Sequence, residues 1–146
     1  MSFYVRYYLT DENDLSLAQL AAGLQEFDPA YSLPHEGNSG EIRYAGESFA
    51  EIDVNRPGDA LFDEELAETL DGVQLTGGAR AQHVLDLLRQ TRATLALRIL
   101  WQGRDVEQTL TKIDPVVVWL MMNRDGLLHV DGEGFYEGED LIFEME

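Results

Sequence analysis

Apolar and polar positions alternate from Ser2 to Leu9, with Phe3, Val5, Tyr7 and Leu9 on one face and Tyr4, Arg6 and Tyr8 on the other. Aromatic and β-branched residues at period two predict a strand. A polar turn follows over 10–14. The period then changes: Leu17, Leu20, Ala21, Leu24 and Phe27 fall at helical spacing until Asp28-Pro29 ends the run. Tyr31 to Leu33 reads as a short strand, and the stretch 34–40 (PHEGNSG) reads as a loop. Ile42 and Tyr44 alternate before Ala45-Gly46, and Ala50, Ile52 and Val54 alternate after it, which predicts a hairpin over 41–54.

Asp59 is placed to cap a second helix, with Phe62, Leu66 and Leu70 on its apolar stripe. Thr76-Gly77-Gly78 separates it from a third helix over 79–91, where Ala81, Val84, Leu85 and Leu88 form the stripe. Leu95, Leu97, Ile99 and Trp101 alternate in a strand over 93–101. Asp105 opens a fourth helix through Ile113. Over 115–124 two signals conflict. Val116-Val117-Val118 favours a strand by propensity, whereas Asp114-Pro115 at one end and Gly126 past the other favour a helix. We read a separate helix there. A strand over 127–130, a Gly- and acid-rich loop over 131–140 and a last strand over 141–145 complete the chain.

Adjacent strand pairs mixed with helices predict an α+β fold: a mixed or antiparallel sheet with four to five helices mainly on one face. The opening strand–helix–strand–strand–helix order suggests a ferredoxin-like first half. The 146 residues suit a single domain, with a two-lobed organisation jointed near 76–78 as the variant.

Charge changes the picture most. The chain has 28 acidic and 10 basic residues, net −18. Residues 1–78 hold sixteen acids and three bases, 79–112 six bases and three acids, and 113–146 nine acids and one base. This balance argues against nucleic acid or anionic lipid as partners. The longest apolar run, Val116 to Met122, is seven residues, against ~20 for a membrane span. The chain lacks cysteine, and its first residues lack a basic segment followed by an apolar one. A soluble, cytoplasmic protein is therefore expected.

No recognised site chemistry stands out, and no cofactor is implied. His35, His83 and His129 lack metal-ligand spacing. Asp131, Glu133, Glu137, Glu139 and Asp140 crowd a glycine-rich stretch, but Phe135 and Tyr136 stand where a calcium loop needs a ligand and a glycine. Gly46-Glu47-Ser48-Phe49-Ala50 lacks the strand–turn–helix setting of a nucleophilic serine. Neither Gly37–Gly40 nor Gly77–Arg80 matches a phosphate-binding loop.

Two classes of function remain. The first is a non-enzymatic binding module, of the immunity or inhibitor kind, that steers a basic protein partner onto its carboxylates. Its contact residues would be Asp63, Glu64, Glu65 and Glu68 on the second helix and Glu137, Glu139 and Asp140 near the C-terminus. Tyr4, Arg6 and Tyr8 would form a contact or homodimer patch. A nucleic-acid mimic, with carboxylates in place of phosphates, is a special case. The second class is a small-molecule binder or enzyme, with Arg92, Arg98 and Arg104 around an acidic ligand and Tyr7 or His83 doing proton work.

Overall fold

The computed structural model describes residues 3–11 and 15–145. The expected start of the first strand at Ser2 and most of the polar turn lie outside the described residues.

The described residues form nine strands. They are β1 (Tyr4–Leu9), β2 (Tyr31–Ser32), β3 (His35–Glu36), β4 (Ser39–Tyr44), β5 (Glu47–Asn55), β6 (Ala93–Ile99), β7 (Gly126–Val130), β8 (Gly134–Glu137) and β9 (Asp140–Glu144). Among the described residues four helices join them: α1 (Leu17–Phe27), α2 (Ala60–Thr76), α3 (Ala81–Arg89) and α4 (Val106–Asn123). All pairings are antiparallel, in the order β2-β4-β5-β6-β1-β7-β8-β9, with β3 also on β4. β2 and β3 together make a short edge, interrupted at Leu33-Pro34, where a strand edge tolerates proline.

The β4–β5 hairpin turns on Ala45 and Gly46, both at positive φ (50° and 83°). That is the two-residue geometry whose twist matches the strands it joins. The strand–helix–hairpin–helix order of a ferredoxin-like half is present, but β1 joins the hairpin through β6 rather than directly. Because β6 lies between β5 and β1, the chain on either side of Gly77-Gly78 is woven into the same sheet.

The helices divide between the two sheet faces, two on each, instead of gathering mainly on one. β1 explains why. Tyr7 and Tyr8 are neighbours, point to opposite faces, and are both buried. Leu127 and Leu128 repeat this on β7. Val5, Tyr7, Leu9, Leu95, Leu97 and Leu128 pack under α1 and α4. Tyr8, Leu127, Phe135 and Phe143 pack under α2 and α3, with Val73, Val84 and Leu88. A sheet with apolar residues on both faces needs cover on both.

Two local expectations are corrected and a third is refined. The fourth helix and the one expected over 115–124 are one continuous helix, α4, with Pro115 inside it. Proline deprives the Thr111 carbonyl of its usual partner, but Thr111 is exposed, so water is within reach. One residue on, the Lys112 carbonyl accepts from the Tyr31 hydroxyl at 2.8 Å. Asp59 does hold the N-cap position of α2, yet its carboxylate accepts from the Arg56 amide (3.0 Å) rather than from the helix. The expected loop over 131–140 contains β8. Its glycines misled: Gly134, at φ 134°, lies so close to the Phe143 carbonyl that a Cβ would sit 2.1 Å from that oxygen. Glycine there permits strand pairing rather than preventing it.

Candidate functional site

α2 and α3 cover only part of their sheet face. Over β4, β5, β6 and the start of β1 that face is free of helices, and its side chains are polar. One row across the strands runs Glu41, Glu51, Arg98, Tyr4, and the next runs Ser39, Asp53, Ala96, Arg6, His129. Alternation explains the rows: Ala50, Ile52 and Val54 point into the core under α1 and α4, so Glu51 and Asp53 must point away. The result is a shallow trough of about 720 Å³ lined by Glu36, Ser39, Glu41, Glu51, Asp53 and Arg98.

Within the trough Arg98 grips Glu51 through two nitrogens, which holds the guanidinium more firmly charged. Ser48 and then Arg43 hydrogen-bond Glu41 and lower its carboxyl pKa. Ser39 donates to Asp53 at 2.5 Å. These contacts order the carboxylates, but among the described residues the lining holds four acids and one arginine, with Arg43 beside Glu41 as a second.

α2 adds to the same side. It carries five carboxylates and no base. Asp63, Glu64 and Glu68 are exposed and make no ion pair among the described residues, while Glu65 is half-buried near the Tyr8 phenol. On the β8–β9 turn Glu139 and Asp140 are exposed, and Glu137 meets His83 of α3 at 3.3 Å. The two acidic groups anticipated from sequence therefore flank the helices of one sheet face, together with a third group, Glu41, Glu51 and Asp53. Alternation in β5 marks Glu51 and Asp53 as outward, and Glu41 stands on β4 beside the inward Ile42.

The aromatic patch is rearranged. Tyr8 is 3% exposed, packed on Phe135 and held under α2, so it offers no contact surface; burial raises its pKa. Arg6 lies over the Tyr4 ring and reaches Asp131 at 3.4 Å, and the same carboxylate accepts from the Tyr4 amide at 2.8 Å. Tyr4 and Arg6 remain half-buried at the trough's edge.

Arg92, Arg98 and Arg104 do not converge. Arg92 is exposed just before β6, Arg98 lies in the trough, and Arg104 lies over Phe49 at 3.9 Å, donating to the carbonyls of Ser48 and Leu100. Tyr7 donates to the Arg124 carbonyl, and burial pushes its phenol up to about 12, far from proton transfer near neutrality. Among the described residues no group of three or more His, Asp or Glu is arranged to hold a metal. No helix of the described residues is long and apolar enough to cross a membrane.

Compared with protein families, with curated proteins and with solved structures, the chain matches none.

Proposed function

We propose that this chain is a non-enzymatic binding module that takes a basic protein partner on its acidic side, in the manner of an immunity or inhibitor protein acting in the cytoplasm. One observation carries the reading: Glu41, Glu51 and Asp53 line a helix-free stretch of the sheet face that also bears α2, whose Asp63, Glu64 and Glu68 are exposed without ion pairs among the described residues. Carboxylates held on strands and a helix lose little entropy when they meet a cation. With a net charge of −18 they would also speed encounter with a basic surface. The dispersal of Arg92, Arg98 and Arg104 gives an acidic small molecule no shared site. A nucleic-acid mimic is the case in which the partner's surface normally receives phosphates.

The test is affinity capture from native lysate at low and high salt, with wild type and an α2 variant carrying Asp63→Asn, Glu64→Gln and Glu68→Gln. A basic protein held at about 50 mM salt, released at about 500 mM and lost with the variant is the expected result. Capture indifferent to both salt and variant would contradict it. So would recovery of no protein together with a small molecule carried through purification. If the captured protein also binds DNA, competition by duplex DNA identifies the mimic.

A further inference from the structure

The opposite side of the sheet carries a different surface. α4 has two apolar stripes. Ile113, Val116 and Leu120 face the core. Pro115, Val118, Trp119 and Met122, spaced i, i+3, i+4, i+7, line a groove of about 580 Å³ between α4 and α1. A helix apolar on both sides ordinarily has neighbours on both, and here the second stripe is covered only in part, with Val118 and Met122 exposed. Gly23 of α1 sets the groove's width: a Cβ there would lie 2.0 Å from the Trp119 indole nitrogen, so the indole rests against bare backbone. Phe27, 69% exposed, and Met122, 80% exposed, stand along its rim. Large apolar side chains gathered in this way mark a contact surface rather than scattered surface residues.

The charges choose the occupant. Among the described residues Glu26 and Asp114 line the groove, and no basic residue does. Two copies of this chain, paired groove to groove, would set these carboxylates against their own counterparts and bring together two bodies of net −18. A cationic rim around an apolar stripe meets both features. The lined part of α4, from Thr111 to Asn123, is about 18 Å long, matching a helix of about 12 residues.

We propose that the α1–α4 groove receives an amphipathic helix of a partner protein, with apolar anchors at i, i+3, i+4 and i+7 and Lys or Arg beside them. The inference shares with the proposed function the basic character of the partner, but it concerns a separate surface. Three peptides test it: a leucine-stripe peptide with lysines between, a shuffled peptide of the same composition, and a leucine-stripe peptide with glutamates. Binding is followed by calorimetry and by Trp119 emission in a Trp101→Phe background. The lysine stripe peptide is expected to bind at least about tenfold tighter than either control and to shift Trp119 emission. Val118→Ser with Met122→Ser should abolish that preference; both side chains are substantially exposed, and far-UV circular dichroism confirms folding. The α2 charge variant should leave the preference intact. Equal binding of the stripe and shuffled lysine peptides would overturn the groove; if that binding also weakened with the α2 variant, the acidic-side reading would survive. Self-association of the chain that Met122→Ser abolishes would equally overturn it, in favour of a second copy as occupant.

Discussion

Asp11→Asn is expected to be among the most damaging conservative changes outside the apolar core. Asp11 follows β1, and Arg124 follows α4; their side chains are 12% and 7% exposed. Arg124 donates through Nε at 2.9 Å and through Nη2 at 2.6 Å, and the Asp125 amide donates to the same carboxylate at 3.0 Å. The pair fixes the α4–β7 turn against the end of β1, where Thr10 also donates to the Asp125 carbonyl at 3.0 Å. Asparagine keeps the shape, but it turns one acceptor into a donor facing a guanidinium and removes a carboxylate charge that faces it. Loss of a hydrogen bond between charged groups costs ~1.5–3 kcal/mol. For a chain of this size each kcal/mol is worth about 2–4 °C, so melting should fall by about 3–12 °C. Urea unfolding followed by circular dichroism gives the free energy directly. Asp11→Asn combined with Arg124→Gln should cost less than the two single changes added together, because both changes break the same bonds. A loss under about 1 kcal/mol for Asp11→Asn, or strictly additive single changes, would refute the reasoning.

Other expected outcomes concern separate parts of the fold. Gly134→Ala must place a Cβ against the Phe143 carbonyl at φ 134°, and should cost at least ~2 kcal/mol. Gly138→Ala, at φ 62° with open space around it, should cost ~1 kcal/mol; chemical denaturation compares them. Arg104→Lys loses the planar fork that reaches the carbonyls of Ser48 and Leu100 at 2.6 and 2.8 Å, and a loss of ~2 kcal/mol is expected from the same assay. Burial holds the His129 imidazole pKa below its ordinary 6.5, against the opposing pull of Asp131. The unfolded chain therefore takes up this proton first, so stability falls as pH drops through about 6.5 toward the folded-state pKa. His129→Phe, beside Phe135 at 4.6 Å, should shrink the difference in urea midpoint between about pH 7.5 and 5.5; an unchanged difference would exclude His129 as its source.

Period-two alternation placed β1, β5 and β6 from the residues alone, because one side of each must face a core. It also implied that Glu51 and Asp53 point outward. It did not reveal that α2 and α3 leave those positions uncovered, since cover depends on where helices dock. Tyr8 shows the limit in the other direction: beside Arg6 it resembles a surface residue, and only α2 lying across β1 buries it. Pro115 misled because a proline after an aspartate ordinarily starts a helix, whereas here solvent and the Tyr31 hydroxyl make a mid-helix proline tolerable. The outward stripe on α4 was written in Val116–Met122, a run apolar on every side, but which side faced the sheet depended on the helix's rotation. Net charge identified acidic segments without saying that strands, helix and turn would gather theirs about one sheet face.

The central claim is that this gathering is a contact surface for a cationic protein. It is tested most directly by the association rate of the captured partner with wild type and with the Asp63→Asn, Glu64→Gln, Glu68→Gln variant across ionic strength. Steering through the acidic side predicts a wild-type rate that falls at least about tenfold from low to high salt and a variant that is slower and flatter. Identical rates for the two proteins at every salt concentration would contradict it.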